Sequence, residues 1–347
     1  METVFISRLK PLMDAVAAKR DLYIPKRTGD YFVFDRYDPS EKSRVEINDI
    51  RACTPAKEFL FPPREIAARY PQPAQPPEIR PFAVFGLKDC DLRSIAILDK
   101  VFAAEDFADS VYIERREKMF IIASDCTEPG ESCFCCLFGG MPYSQAGFDL
   151  NISPIKDGFI VESGSKKGHG FLEEHSQLFA DVPHVLLDER DAKRKAAEQK
   201  LRQRNSTFNW GADIGDAVNT SQDAEIYDEQ ADKCIECQAC TRVCPTCHCF
   251  LLYDGKQSDY FTKMKIWDSC MRFSYAAVAG GENPNKVLGD RMKHRLMHKF
   301  VHFVERYGVH MCVGCGRCVD ADAGGMDLRQ ILNSLSEQSK NKGAGKI

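Results

Sequence analysis

The chain lacks most of what would make it a self-sufficient enzyme or a membrane protein. No apolar run approaches the ~20 residues a helix needs to cross a bilayer. There is no G-x-S-x-G, no H-E-x-x-H, no Walker loop and no G-x-G-x-x-G dinucleotide fingerprint. Nucleotide and flavin binding are therefore expected in a partner, not in this chain. A net charge of -4 over 347 residues gives no bulk attraction to nucleic acid. The opening stretch, "METVFISRLKPLMDAVAAKR", has no long apolar core and no small-residue cleavage site, so it reads as an amphipathic helix of the mature protein. A cytoplasmic location is expected.

Cysteine is what the chain has in excess: sixteen, grouped as C-x2-C and C-x-C clusters. A secreted disulfide scaffold is usually shorter and loop-rich, so metal or iron–sulfur ligation fits better.

The rest of the chain frames those clusters. "DLYIPKRTGDYFVFDRY" reads as a hairpin turning at Thr28-Gly29-Asp30, and "PPREIAARYPQPAQPPEIRP" as an exposed connection. "FAVFGL", "DLRSIAILDKVFA" and "MFIIASDC" read as strand, helix and strand. This places Cys90 and Cys126 just past strand ends, where open α/β sheets usually bind ligands. "FDLNISPIKDGFIVESG" is a second hairpin, and "DERDAKRKAAEQKLRQRNS" a charged, solvated helix. "GSKKGHG" reads as a flexible turn. In "NPNKVLGDRMKHRLMHKFVHFVERYG", Asn283 and Pro284 suit a helix start, and Met292, Leu296, Phe300, Phe303, Val304 and Tyr307 form an apolar face. The expected fold class is α+β. An α/β domain with a cysteine-rich loop (1–204) and a linker (205–230) precede a ferredoxin-like two-cluster domain split by a helical spacer (231–330). A disordered tail (331–347) follows.

"CIECQACTRVCP" supplies Cys234, Cys237, Cys240, Cys244 and Pro245, the C-x2-C-x2-C-x3-C-P run of bacterial ferredoxins. "CVGCGRC" supplies Cys312, Cys315 and Cys318 as the matching half. In two-cluster ferredoxins the fourth cysteine of a run ligates the other cluster. One cluster then takes Cys312, Cys315, Cys318 and Cys244. The other takes Cys234, Cys237 and Cys240, and its fourth position is Asp322 instead of cysteine. Three readings stay open. Asp322 binds iron through a harder oxygen ligand, holding it loosely enough to leave a 3Fe–4S cluster. Cys247, Cys249 or Cys270 supplies the ligand instead. Or Asp322 is a solvated carboxylate, and the site is 3Fe–4S or vacant.

Upstream, "LKDCDLRS" and "SDCTEPGESCFCC" hold Cys90, Cys126, Cys133, Cys135 and Cys136. A third cluster and a zinc site both remain open for them.

Taken together, "CDLRSI", "CTEPGESCFC", "CIECQACTRVCPTCHCF", "WDSC", "RMKHRLMHKF" and "CVGCGRC" give a chain that resembles the 4Fe–4S dicluster subunits found in sulfhydrogenase, as its beta subunit, and in anaerobic sulfite reductase. The resemblance spans about residues 80–330. It implies two 4Fe–4S clusters and a metal set of Cys90, Cys126, Cys133 and Cys135, with Cys136 apart. It also implies an electron-transfer subunit in a multisubunit oxidoreductase. Its partners would be a flavin/NAD(P)H-binding subunit, together with a catalytic one of hydrogenase, sulfite reductase or heterodisulfide-reductase-like type. Asp322 departs from the family's cysteine. The alternative is a self-contained enzyme using an Asp-ligated or open cluster as Lewis acid. A binding module is the third reading, resting on the basic stretch of Lys293, His294, Arg295, His298, Lys299 and Arg306. Those side chains otherwise form a solvated face, or offset the charge of thiolate-bound clusters.

Overall fold

Strand-forming and helix-forming runs alternate through the first half of the chain, and all its strands but one pair into a mixed sheet. The computed structural model describes residues 2–40, 47–71, 78–104, 108–208, 210, 214–222, 225–256 and 258–344. The chain divides into two units, Met1–Leu60 with Pro76–Arg204 and Phe61–Gln75 with Asn205–Ile347. Among the described residues no helix is long and apolar enough to cross a membrane.

The strands in chain order are β1 (Thr3–Ile6), β2 (Asp21–Thr28), β3 (Tyr31–Arg36), β4 (Arg64–Tyr70, in the second unit), β5 (Phe82–Leu87), β6 (Met119–Ser124), β7 (Leu150–Ile155) and β8 (Gly158–Ser163). The first unit's sheet runs β1-β8-β7-β6-β5-β2-β3. Its centre, β2 through β7, is parallel, and both margins are closed by antiparallel pairs. Strands β5 and β6 are buried at every position and apolar up to the terminal Ser124, as strands covered on both faces must be. Leu12, Met13 and Val16 of the helix Leu9–Ala17 join Phe85, Phe120, Ile122 and Ile152 in the core. Gly86 sits at a bulge between β5 and β6 with φ of 84°. A Cβ there would lie 2.4 Å from the Asn48 Oδ1, so only glycine fits.

The second unit carries a three-stranded antiparallel sheet in which β10 (Phe261–Trp267) lies between β4 and β9 (Phe250–Lys256). The Trp267 indole donates to the Phe61 carbonyl at 3.0 Å. Helices Ile214–Thr220, Ile226–Ala231, Leu288–Met297 and Leu328–Ala344 pack together through Val218, Tyr227, Leu296, Leu332 and Leu335.

Several expectations are corrected. Residues 3–6 form an edge strand, so only the latter part of the opening segment is helical. The proline-bounded connection contains β4, which needs a partner strand distant in sequence; its residues 72–77 lie outside those described. "GSKKGHG" opens the helix Lys166–Glu174, capped by the Ser165 side chain on the Gly168 N–H. Within the polar segment 205–230, two short helices bury Ile214, Val218, Ile226 and Tyr227. Much of the expected disordered tail is helical, because Ile331, Leu332 and Leu335 share a buried stripe. The spacer helix begins at Leu288; Asn283 instead donates to the Phe273 carbonyl and accepts from the Asn285 N–H.

Candidate metal centres

The two cysteine motifs fold alike. Glu236 and Gln238 adopt left-handed φ values of 56° and 62°, and Gly314 and Gly316 adopt 65° and 76° at the corresponding places. Each motif then enters a one-turn helix, Ala239–Arg242 or Arg317–Asp320. Left-handed residues between the cysteines curl the chain round a centre. They also turn N–H groups inward: Glu236 donates to the Cys234 sulfur, and Gly314 to the Cys312 sulfur.

The thiols group crosswise. Burial pushes the Cys318 thiol up to about 12, and Cys244, Cys315 and Cys312 add to the rise while Arg295 opposes it. Cys312 is pushed up to about 11 by burial, with Lys299 opposing and Cys244 and Cys315 adding. Cys240 is raised by burial, then by Asp322, Cys234 and Cys237, against Arg295. Thus Cys244 joins the second motif's cysteines, and Asp322 stands with the first motif's. The Asp322 Oδ1 accepts from the N–H groups of Gly324 and Met326 at 2.9 and 3.2 Å. No hydrogen bond from a described residue engages Oδ2.

The spacer helix brings cations to these thiols. Arg291, Arg295 and Lys299 recur every fourth residue and are 4%, 6% and 2% exposed. Each follows or precedes an apolar core position by one residue, so the helix is buried on two neighbouring stripes. Lys299 donates to the Cys244 sulfur at 3.4 Å, to Thr246 at 3.3 Å and to the Met311 carbonyl at 2.9 Å. Arg295 donates to the Cys240 carbonyl at 3.3 Å, and the thiols of Cys240, Cys318, Cys247 and Cys244 hold its charge in place. Arg291 pairs with Glu236 at 2.7 Å. The helix passes through a π turn at His298–His302, a feature frequent at functional sites. The basic stretch is therefore not one solvated face: its inner members are buried against sulfur.

Buried cations need anions. The Nε atoms of Arg291 and Arg295 are buried without a hydrogen-bond partner among the described residues. Thiolate-bound clusters would supply that negative charge, so the donor set and its surroundings fit iron–sulfur groups. Among the described residues no three His, Cys, Asp or Glu close to the span of one metal ion.

In the first unit, Cys126, Cys133 and Cys135 come together. Burial pushes Cys126 up to about 12 against the cation of Lys88, with Cys133 adding. Cys135 is raised by burial and then by Cys133, Cys126, Cys136 and Asp89. Cys90 is buried in the first turn of the helix Asp89–Phe102, beside Lys88 and Asp89, which act on Cys126 and Cys135 respectively. Cys136 lies against the Leu201 carbonyl at 4.0 Å. Lys88 is buried and donates to the Asn48 carbonyl, the Ser124 hydroxyl and the Asp125 carbonyl at 2.5, 2.8 and 2.9 Å. The charged helix His184–Arg204 is solvated on only one side. Arg194 bonds Asp125 at 2.7 Å and Glu162 at 2.5 Å, and Asn151, opposite Glu162 on the neighbouring strand, donates to Asp125 at 3.0 Å. Sequence reading missed Lys88 and Arg194, and for Arg295 and Lys299 it left open whether they form a solvated face or offset cluster charge. A charge carries no sign in the sequence of which way it faces, although the four-residue spacing of 291, 295 and 299 was visible.

This fold and these cysteine sets define an iron–sulfur electron-transfer subunit. Residues 233–326 match the 4Fe-4S dicluster domain family. Across 323 residues the chain is 31% identical to sulfhydrogenase 2 subunit beta of Pyrococcus furiosus, covering 91% of this chain and 92% of that one. The chain belongs to the 4Fe–4S dicluster family of sulfhydrogenase beta subunits.

Proposed function

We propose that this chain relays single electrons inside a multisubunit oxidoreductase. It would stand between a flavin/NAD(P)H-linked subunit on one side and a catalytic partner of hydrogenase, sulfite reductase or heterodisulfide-reductase-like type on the other. Cys244, Cys312, Cys315 and Cys318 hold one 4Fe–4S cluster. Cys234, Cys237, Cys240 and Asp322 hold the second, and Cys90, Cys126, Cys133 and Cys135 hold a third. Such clusters supply reversible one-electron storage when bound.

The observation that carries this reading is Arg295, a buried cation acted on by thiols of both sets in the second unit. A charge shared between two centres stabilises the added electron on either. Lys299 and the N–H of Gly314 donate to sulfurs of the Cys244 set, which favours its reduced state. The other set has the carboxylate of Asp322 and the N–H of Glu236. Cys237 and Ile235 are exposed beside it, so that set opens to a docking partner.

The test is an iron and sulfide count with electron paramagnetic resonance on anaerobically purified chain, before and after reduction. The relay reading expects about eight irons from the two paired sets, or about twelve with the third. Asp322→Cys is expected to abolish any oxidised 3Fe–4S signal, and Asp322→Ala to enlarge it. Reduction by NAD(P)H is expected only when the flavin subunit is present. Zinc without iron would sink the reading.

A further inference from the structure

Two cysteines outside the crosswise sets meet in the second unit. The ladder of β9 and β10 pairs Phe250 with Trp267, and the next step brings the Asp268 N–H to the Cys249 carbonyl at 2.9 Å. The chain then turns sharply at "DSC". Asp268 takes the Ser269 N–H at 2.8 Å and pairs with Arg272 at 3.1 Å. The Ser269 hydroxyl is held by Thr241 at 2.9 Å, from the helix that follows Gln238. This turn delivers Cys270 to the Cys249 sulfur within hydrogen-bond reach. Tyr275 adds a second hydrogen bond to that sulfur, at 3.6 Å. Cys249 is partly exposed and Cys270 is buried.

The pair is asymmetric. Cys249 receives hydrogen bonds from Cys270 and Tyr275 and feels the cation of Lys299, against burial and Asp268; together these hold its thiol below the ordinary range. Cys270 is buried and donates to the Cys249 sulfur, which Tyr275 also reaches. A reachable thiolate beside a buried thiol is the arrangement of an attacking and a resolving cysteine.

We propose that Cys249 and Cys270 form a dithiol/disulfide site that exchanges with small organic disulfides. The Cys249 thiolate attacks one sulfur of R–S–S–R. The S–S bond breaks, a Cys249–S–R bond forms, and RS⁻ leaves to take a proton from water. Cys270 then loses its proton, attacks the Cys249 sulfur and expels the second RS⁻, which takes up that proton. The protein loses two electrons to the disulfide, which becomes two thiols. Regeneration of the Cys249 thiolate and the Cys270 thiol takes one proton from solvent and two electrons, the electrons supplied one at a time by reduced iron–sulfur clusters of the same chain. Only that return step rests on the relay reading.

The test uses the full chain, purified anaerobically, treated with oxidised glutathione, alkylated and mapped by mass spectrometry, with iron counted in parallel. The expected product links Cys249 to Cys270, with the iron count unchanged. Cys270→Ser is expected to stop at a glutathione adduct on Cys249, and Cys249→Ser to give neither product. Tyr275→Phe leaves both cysteines in place and is expected to slow alkylation of Cys249 at pH 7 several-fold. The proposal is overturned by alkylation of Cys249 with no link to Cys270, by a Tyr275→Phe rate equal to that of the parent, or by iron lost in the cysteine variants, which would make the pair cluster ligands. A chain that forms the link while containing no iron would retain the exchange site and defeat the relay.

Discussion

Lys299 shows how one side chain sets what a sulfur does. It is buried, it touches the Cys244 sulfur, and its other partners are an uncharged hydroxyl and a carbonyl. Lys299→Met removes a positive charge and a hydrogen bond from one cluster site. The reduction potential of that cluster is expected to fall, with the other moved less; Lys299→Arg is expected to restore part of the shift. A redox titration followed by paramagnetic resonance reads both. Gln238 is a second residue-scale case. It holds a left-handed φ at the position where the second motif has Gly316. Gln238→Gly relieves a strain of roughly 1 kcal/mol, so the unfolding midpoint is expected to rise while the iron content stays constant. A midpoint below that of the parent would show that the Gln238 side chain makes a contribution larger than the strain.

Elements carry the next set of consequences. The helix Leu328–Ala344 is polar on average, yet Leu332 and Leu335 are fully buried. Leu332→Ala is expected to cost about 2–5 kcal/mol in denaturant unfolding; a loss under about 0.5 kcal/mol would mean the helix is dispensable. In the first unit the helix His184–Arg204 reaches the Cys126 loop through Arg194, whose partners Asp125 and Glu162 are almost fully buried. Arg194→Ala leaves the buried Asp125 carboxylate without its guanidinium while Glu162 keeps Arg190 at 2.9 Å, at a cost of about 3 kcal/mol. It is also expected to lower the metal content of the cysteines beyond β6 without altering the second unit's clusters. Metal analysis of the variant, with paramagnetic resonance of the remaining clusters, distinguishes those two effects. Such helices escape sequence reading because their composition is charged. What decides their place is one inward arginine, or a pair of leucines about one turn apart.

At the scale of the whole molecule, the two units have different sources of stability. The first has a seven-stranded sheet with a large apolar core. The second buries Arg291, Arg295 and Lys299 around its cysteines, with a smaller sheet whose Phe250, Leu251 and Leu252 are exposed. Stripping iron leaves Arg295 and Lys299 without the counter-charge of the clusters, while Arg291 keeps Glu236. Limited proteolysis of the chelated protein is therefore expected to cut within 205–347 first, while the 76–204 segment persists. Equal rates of cutting in both units would show that the clusters do not hold the second unit together.

The sequence alone was enough to assign the α+β class and the paired cysteine motifs. Those depend on local spacing, which a run such as C-x2-C-x2-C-x3-C carries in itself. The strands at 82–87 and 119–124 were equally legible, because strands buried on both faces must be apolar throughout. Tertiary structure decided the rest. It turned Arg295 and Lys299 inward, placed β4 in a sheet with strands far along the chain, ordered the helix after residue 327 and brought Cys249 to Cys270. Each of these depends on a partner distant in sequence. A charge, a short edge strand or a lone thiol acquires its role only when the fold supplies that partner.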